Sequence, residues 1–311
     1  MNFLYIIAGL ILLVVGGNWL LKSALGISSR LKISKIIVGL TVVSFATSLP
    51  ELIVSVKAAL DGYPDIAIGN VVGSNIGNIG LVLGVVLLIN AIQINKTFFT
   101  IDWPTKMIAS VVLFVFLITD GKLSRIEGFI LIALLIVFLI YLIKQNKKID
   151  VAIPELDEDA ISYMKVFGFL ALGGFALWAG SDLLVKGAVN LADNLGVSKR
   201  VIAVTVVSIG TSIPELASSV IASIKKENDI SIGNIIGSNI FNILSVLGIT
   251  SIIKPIEQID AQIISQDIYW MLGFGFILLP LVLLPKKHTL GFKEGIILLI
   301  TYFVFIYFTI I

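Results

Sequence analysis

Ten long apolar segments restrict the possible folds of this chain more than any other feature. Each is about 20 residues long, which is the length of an α-helix that crosses a bilayer. The segments are continuously apolar, whereas the strands of a membrane barrel alternate apolar and polar residues. The sequence therefore predicts an all-α polytopic membrane protein with ten transmembrane helices. Their approximate limits are 3–24, 35–60, 66–90, 101–119, 125–143, 165–186, 199–224, 229–253, 268–285 and 291–310.

Composition supports the same class. Hydrophobic residues make up 58% of the 311 residues and charged residues 14%, which argues against a soluble enzyme or a disordered chain. There is no cysteine, and the one histidine, His288, closes an apolar run and is expected in a loop. We therefore expect no thiol or histidine catalysis, no cofactor and no zinc site. No basic run suggests a nucleic-acid partner, so the lipid bilayer is the expected surrounding.

The distribution of lysine and arginine predicts the orientation. Of the 22 Lys and Arg residues, 15 lie in or next to the odd-numbered loops. Cytoplasmic loops carry the excess of positive charge in membrane proteins. Both termini are therefore predicted outside, and the long polar loop 144–164 is predicted in the cytoplasm.

An internal repeat divides the chain into two halves. Residues 38–80 align with residues 202–244 at a constant offset of 164 without a gap, and 23 of the 43 pairs are identical. Each half has five spans, an odd number, so the second half enters the membrane in the opposite orientation. We predict two inverted five-helix repeats, 1–143 and 165–311, joined by the linker 144–164. Inverted repeats are typical of secondary transporters, which bind substrate near the bilayer midplane.

Each repeat carries Thr-Ser-x-Pro-Glu inside a span, ending at Glu51 and Glu215. The prolines lack an N–H, so the carbonyls four residues earlier lose their helical partner. Neighbouring hydroxyls or a bound cation can satisfy those carbonyls. An ionised carboxylate at mid-membrane costs at least roughly 2.5–3.5 kcal/mol unless it is protonated or paired with a cation. No other acidic residue is predicted at that depth, so Glu51 and Glu215 are expected to bind a hard cation such as Ca²⁺ or Na⁺.

A second motif, Gly-Asn-x-x-Gly-Ser-Asn-x-x-Asn, follows in the next span of each half. Its serine and last asparagine are four residues apart and share a helix face, so Ser74 with Asn78, and Ser238 with Asn242, are favoured as ion ligands. Ser44 and Ser208, one turn before the Thr-Ser pairs, can complete small-cation sites. Other polar residues are given structural roles: interhelical hydrogen bonds for Asn70, Asn75, Asn234 and Asn239, and helix N-caps for Asp65 and Asp229.

The paired motifs resemble the two alpha repeats of the sodium/calcium exchanger family, within the cation/calcium antiporter superfamily, and the short central loop fits its prokaryotic type. The resemblance implies ten helices and exchange of several Na⁺ for one Ca²⁺ by alternating access in the plasma membrane of a prokaryote. It implies that Glu51 and Glu215 ligate Ca²⁺ together with the carbonyls of Thr47 and Thr211. It further implies two Na⁺ sites and a central site, with these ligands: Glu51, Ser74, Ser208, Thr211 and Ser212; Glu215, Ser238, Ser44, Thr47 and Ser48; and Asn78 with Asn242.

Ala46 departs from the family pattern by replacing the glycine that Gly210 keeps in the second repeat. Two comparisons with relatives refine the expectation further. Asn242 stands where potassium-dependent relatives carry aspartate, which favours a potassium-independent protein. Proton-coupled relatives usually show Gly-Asn-x-x-Glu in place of Thr-Ser-x-Pro-Glu, which favours Na⁺. The sequence therefore predicts an Na⁺/Ca²⁺ antiporter and no enzyme. An H⁺/Ca²⁺ antiporter is the first alternative, a cation channel the second, and an intramembrane enzyme using the two glutamates the last.

Overall fold

A computed structural model describes residues 2–146, 162–194, 210–257, 259–284 and 288–310. This part of the chain is almost entirely helical, as the apolar segments predict. Most of the linker 144–164 and the first half of the segment 199–224 lie outside the described residues, and so does Ser208.

We label the helices of the described ranges α1 to α11 and the two short strands β1 and β2. Their bounds are α1 Asn2–Leu31, α2 Lys35–Thr47, α3 Leu49–Leu60, α4 Pro64–Ile89, β1 Ile92–Gln93, α5 Phe98–Asp120, α6 Arg125–Asn146, α7 Tyr163–Asn194, α8 Ile213–Ile224, α9 Asn228–Ile253, α10 Ile263–Leu283, β2 Thr289–Leu290 and α11 Phe292–Ile310. Five stretches within these helices wind as π-helix, which the sequence analysis did not foresee: Gly39–Val43, Asn78–Leu83, Phe98–Asp102, Asn242–Leu247 and Ile263–Asp267.

Eight helices of the described ranges are long and apolar enough to cross a bilayer. The bent pair of α2 and α3 makes a ninth span if the two helices are counted together. Helix α8 has 12 residues and is the described part of the segment 199–224. The total of ten spans therefore stays a prediction, while the membrane-spanning helical class is confirmed.

Proline breaks the second span near the middle of its length. Helices α2 and α3 meet at an angle of 43°. Ser48 lies between them with φ −84° and ψ 1°, and Pro50 follows in the first turn of α3, where a missing N–H costs no helical bond. In the second half Ser212 has the same backbone conformation, with φ −88° and ψ 3°, and Pro214 lies at the equivalent place in the first turn of α8. Each Thr-Ser-x-Pro-Glu motif thus creates a helix N-terminus inside the protein.

The helices that carry the second motif form the centre of the molecule. In the apolar part of each span, 72% of α4 and 89% of α9 is buried, against 33% of α1 and 28% of α7. Polar side chains on α4 and α9 therefore lie away from lipid, between the helices that carry the two glutamates.

Helices α1 and α7 cross through glycines at equivalent positions of the two halves. A Cβ on Gly9 would lie 2.8 Å from the carbonyl oxygen of Gly180, and a Cβ on Gly180 would lie 2.9 Å from that of Gly9. Gly16 and Gly173 face each other in the same way, at 3.0 Å in both directions. In the sequence repeat, position 9 is equivalent to 173 and position 16 to 180. The two contacts therefore exchange with each other under the repeat, as expected for a two-fold axis.

Loop contacts fall into two groups that fit the alternation of the spans. The first, third, seventh and ninth loops meet through an ion pair of Lys35 with Glu227, at 2.8 Å, and through the antiparallel pair of β1 and β2. The second, fourth and eighth loops meet through a bridge between Leu123 and Ile256 and through the amide of Asp260, which donates to Asp65 at 2.6 Å. Each of these four contacts joins two loops of the same group. The two groups are therefore assigned to opposite ends of the helix bundle.

The predicted N-cap roles of Asp65 and Asp229 are wrong. Both residues lie in the first turn of their helices, where Tyr63 and Glu227 occupy the capping positions. Pro64 starts α4 one residue before Asp65, which explains the shift in the first half. The Asp229 carboxylate instead accepts a hydrogen bond of 2.9 Å from the Asn95 amide.

Two further charged residues are buried near the start of the fourth span, and the sequence pattern did not predict their burial. Helix α5 begins three residues earlier than predicted, and Asp102 and Lys106 lie inside it with 3% and 1% exposure. The Lys106 ammonium has one described polar contact, the sulfur of Met107 at 3.9 Å, and the Oδ1 atom of Asp102 has no hydrogen-bond partner. The fourth span therefore buries a lysine side chain without an ion pair among the described residues.

Replacing Lys106 by methionine, which has a similar length, is expected to stabilise the protein. The substitution removes a buried charge and should raise the free energy of unfolding by about 1–3 kcal/mol, part of the cost of placing lysine in a membrane helix. Thermal unfolding in detergent measures the change. The matched control is Lys122→Met, because Lys122 is exposed and pairs with Asp120 at 3.2 Å. A lower stability of the Lys106→Met protein would show that the ammonium is paired in the folded state.

Candidate functional site

The two glutamates of the repeated motif lie in equivalent positions at the centre of the protein. Glu51 is in the first turn of α3 and Glu215 in the first turn of α8. Both are completely buried. Helix N-termini favour negative charge because their N–H groups point along the axis without helical partners. The local sequence thus places each carboxylate where its own helix stabilises it.

Neither carboxylate is satisfied by a hydrogen bond within the described part of the chain. All four carboxylate oxygens of Glu51 and Glu215 lack a hydrogen-bond partner in the described part of the chain. The two groups are close enough to repel each other electrostatically. A buried, unpaired carboxylate is costly, and two of equal charge are costlier still. The arrangement therefore calls for positive charge between them.

Further buried polar atoms of the two repeated motifs also lack hydrogen-bond partners among the described residues. They are the hydroxyls of Ser48 and Ser212, both atoms of the Asn78 amide, and Oδ1 of Asn242. The Asn242 amide donates to Oδ1 of Asn75 at 3.2 Å, which leaves its own oxygen available. Buried polar atoms without partners are rare in native proteins, and a group of them marks the place of a ligand or water. Oxygen donors of this kind suit hard cations.

Hydroxyl pairs link the two repeats across the site. The hydroxyls of Thr47 and Ser238 lie 3.2 Å apart, and those of Thr211 and Ser74 also lie 3.2 Å apart. These pairs are equivalent at the offset of 164, so each joins the bent helix of one half to the central helix of the other. The hydroxyls of Thr47, Ser48 and Ser238 face the carboxyl of Glu215.

Ser44 is buried and near the site, but its hydroxyl is engaged. Its Oγ atom donates towards the carbonyl of Gly39, at 2.7 Å, and that of Asn234, at 3.0 Å. Ser44 can therefore bind a cation only through a lone pair of its hydroxyl oxygen or through its main-chain carbonyl. Its counterpart Ser208 lies outside the described residues.

Of the four asparagines predicted to make interhelical hydrogen bonds, three make them and one does not. Asn70 donates to the carbonyl of Glu51 and the hydroxyl of Ser55, Asn75 donates to the carbonyl of Asn239, and Asn234 donates to two serines of α8, so these three are confirmed. The assignment is wrong for the side chain of Asn239, whose amide atoms are buried without a partner among the described residues.

The carbonyl freed by the second proline has a protein partner. Gly210 lies four residues before Pro214, and its carbonyl accepts a hydrogen bond of 2.6 Å from Ser181 on α7. Of the two partners considered for this carbonyl, a neighbouring hydroxyl and a bound cation, the structure shows the hydroxyl. The equivalent of Ser181 in the first half is Gly17, which has no side chain to play that part.

No group of three or more His, Cys, Asp or Glu side chains converges anywhere in the described ranges. The centre therefore has two carboxylates, with every other nearby donor neutral. Such a site carries two negative charges at most and can hold one divalent ion or two monovalent ions at charge balance. Together with the membrane-spanning helices, a site of this composition is typical of a cation-transporting membrane protein.

Comparison with known proteins agrees with this class. The family described as sodium/calcium exchanger protein matches residues 1–144 and 165–311. CaxA of Alkalimonas amylolytica is 38% identical over 306 residues, covering 96% of this chain and 95% of CaxA. The sodium/calcium exchanger MaX1 of Methanosarcina acetivorans is 30% identical, and the alignment covers 98% of this chain and 97% of MaX1. A structure of the sodium-calcium exchanger NCX_Mj, soaked with Na⁺ and Ca²⁺, superposes with a TM-score of 0.82 at 29% identity, covering 97% of this chain and 96% of that one.

The chain belongs to the sodium/calcium exchanger family. It is therefore a membrane transporter of the cation/calcium exchanging type. The match extends over both halves of the chain, which agrees with the resemblance carried by the two motifs.

Proposed function

We propose that this protein is a secondary-active antiporter that exchanges Na⁺ for Ca²⁺ by alternating access. The observation that carries the proposal is the pair of fully buried carboxylates without hydrogen-bond partners, together with buried hydroxyl and amide groups of both halves that also lack partners among the described residues. A site of this composition holds hard cations and has no feature of a catalytic centre. The names of two relatives, MaX1 and NCX_Mj, point to the same pair of ions.

The proposed ligands follow the two-fold relation between the halves. Glu51 and Glu215 hold Ca²⁺ with the carbonyls of Thr47 and Thr211. The remaining side chains form two Na⁺ sites and line the centre between them: Ser44, Ser48, Ser74, Asn78, Ser208, Ser212, Ser238 and Asn242. The equal spacing of the hydroxyl pairs in the two halves supports this assignment.

The proposed architecture is two inverted five-helix repeats, 1–143 and 165–311, with a cytoplasmic linker and both termini outside. The symmetric glycine crossing of α1 and α7 supports the two-fold relation. The strand contacts support it too, because the pairing of Ile92 with Leu290 at one end has its counterpart in the pairing of Ile256 with Leu123 at the other. The loop group with Lys35 and Glu227 is the proposed cytoplasmic side of a prokaryotic plasma membrane.

Charge balance explains why exchange is coupled in this proposal. With Ca²⁺ bound, the two carboxylates are neutralised, and the helices can move past the site at little electrostatic cost. Sodium ions bound to the same two carboxylates neutralise them in the same way. An empty site would carry two unpaired negative charges through the bilayer, at several kcal/mol. The protein therefore changes its access only with ions bound, and one ion species must leave before the other enters.

Uptake of radioactive Ca²⁺ into proteoliposomes tests the proposal. Vesicles loaded with Na⁺ and diluted into Na⁺-free buffer should take up Ca²⁺, while vesicles with a pH gradient alone should not. Vesicles without either gradient serve as the control. Uptake driven by the pH gradient and indifferent to Na⁺ would instead establish H⁺/Ca²⁺ exchange. A Ca²⁺ current without any counter-ion would establish a channel and overturn the antiporter.

A further inference from the structure

Asn234 connects the bent helices of the two halves through its side chain and main chain. Its amide nitrogen donates to the hydroxyls of Ser218 and Ser219 on α8, both at 2.9 Å. Its amide oxygen accepts from the hydroxyl of Thr47 at the end of α2, at 3.2 Å. Asn234 is 1% exposed and is not one of the proposed ion ligands. Its contacts therefore need a reason other than direct coordination.

The orientation of the Asn234 amide is fixed by Ser218. The Ser218 hydroxyl donates its one proton to the carbonyl of Glu215 at 3.1 Å, so it can only accept from Asn234. An amide turned the other way would place two acceptors against each other. The nitrogen must therefore face α8, and the oxygen must face Thr47.

This orientation determines where the next two protons point. Thr47 has one hydroxyl proton, and its acceptors are the amide oxygen of Asn234 and, at 3.3 Å, the carbonyl of Ser44. With two acceptors on that side, Thr47 accepts from Ser238, which lies 3.2 Å away. The Ser238 proton is thereby directed to Thr47, and its lone pairs face the site. Hydrogen bonds aligned in one direction along such a chain strengthen each other.

The unpaired state of Glu215 follows from this chain. Thr47 and Ser238 lie close to its carboxyl, whose two oxygens have no hydrogen-bond partner of acceptable distance and angle among the described residues. Their protons are used elsewhere, so they show oxygen lone pairs to the space in front of the carboxylate. A cation is attracted by that arrangement, whereas a hydroxyl proton donated to Glu215 would compete with it.

We propose that Asn234 is a positioning residue that commits the protons of Thr47 and Ser238 away from Glu215 and so sets the Na⁺ affinity of this half. The inference rests on the proposed Na⁺/Ca²⁺ exchange and goes beyond it by assigning a role outside the ligand set. The first half has a different arrangement, because Val54 stands at the position of Ser218. Asn70, the counterpart of Asn234, is anchored instead by the carbonyl of Glu51 and by Ser55.

The test measures the Na⁺ and Ca²⁺ dependence of exchange in proteoliposomes. Asn234→Leu removes the acceptor at nearly constant volume and should raise the half-saturating Na⁺ concentration about fivefold, the effect of one hydrogen bond. The half-saturating Ca²⁺ concentration should change less than about twofold, since Ca²⁺ is held by carboxylates and carbonyls. Asn234→Asp keeps an acceptor towards Thr47 but turns a second acceptor towards Ser218, so its half-saturating Na⁺ concentration should rise less than that of Asn234→Leu.

Ser231→Ala is the matched control. Ser231 lies on the same face of α9 and donates to the main chain of Ser219 without touching the Asn234 side chain, and the first half has alanine at this position, Ala67. It should leave both half-saturation values unchanged. Ser218→Val, which copies the first half, frees the amide to turn and should raise the half-saturating Na⁺ concentration in the same direction as Asn234→Leu, which keeps the test decisive if Asn234→Leu does not fold.

Two results would overturn the inference while leaving the proposed function intact. The first is that the original protein exchanges Na⁺ for Ca²⁺ and the Asn234→Leu protein has the same half-saturating Na⁺ concentration. The other is an equal rise in the half-saturating concentrations of both ions in Asn234→Leu, which would indicate a packing role. If the original protein shows no Na⁺-driven Ca²⁺ uptake at all, the proposed function fails first.

Discussion

Replacing either Glu51 or Glu215 by glutamine is expected to abolish sodium-driven Ca²⁺ uptake. Each substitution removes half of the negative charge at the centre, and no other described acidic group can replace it there. Losing one partner of a buried charge pair costs about 3–5 kcal/mol, so uptake should fall at least roughly 100-fold. Uptake of radioactive Ca²⁺ into Na⁺-loaded proteoliposomes measures the loss.

Stability separates this effect from misfolding. The glutamines remove a buried, unpaired charge from the ion-free protein, so thermal stability without Ca²⁺ should be unchanged or higher. Added Ca²⁺ should stabilise the original protein and not the variants, because a ligand stabilises only the folded state that binds it. Exchange at the original rate in either variant would contradict the assignment of the site.

Glu127→Gln is the matched control for these variants. Glu127 also lies in the first turn of a membrane helix, α6, but its carboxylate accepts hydrogen bonds from the amide and hydroxyl of Ser124 at 2.7 and 2.8 Å. It is a capping residue at the helix end, so the substitution should lower stability slightly and leave exchange unchanged. A loss of exchange here would mean that any glutamate near a helix start is sensitive.

The repeat made the positions of the carboxylates predictable from the sequence. Two carboxylates at equal depth in inverted halves must meet near the midplane, and the structure places Glu51 and Glu215 close together and fully buried. The breaks beside Pro50 and Pro214 were predictable for the same reason, because an imino acid cannot continue a helical hydrogen-bond pattern.

Features that depend on contacts between distant segments were not predictable. The burial of Lys106 depends on where α5 begins and on the packing of Gly275 from α10 against its side chain. The partner of the Gly210 carbonyl, Ser181, comes from a different helix. The directions of the Thr47 and Ser238 protons depend on Asn234 and Ser218, whose spacing along the chain gives no sign of their contact.

Close helix packing at Gly237 connects the fold to the ion site. Gly237 precedes Ser238 on α9 and lies against the π-helical stretch of α2. A Cβ at this position would lie 2.6 Å from the carbonyl oxygen and 2.7 Å from the Cα atom of Leu40, and would also meet the hydroxyl of Ser44. Because two of these neighbours are backbone atoms, they cannot turn away as a flexible side chain can.

Gly237→Ala is therefore expected to damage both stability and transport. The methyl group must push α9 away from α2, at a cost of about 1–3 kcal/mol in the free energy of unfolding. The same displacement carries Ser238 away from Thr47 and from the carboxyl of Glu215, so the rate of Ca²⁺ uptake should fall at least about tenfold, since misplaced catalytic or binding groups lose activity steeply with distance. Gly273→Ala, on α10, is the control, because a Cβ there meets nothing within 4 Å and both properties should stay unchanged. If Gly237→Ala matched the original protein in unfolding temperature and Ca²⁺ uptake, the contact between α2 and α9 would not be what holds the two halves of the site together.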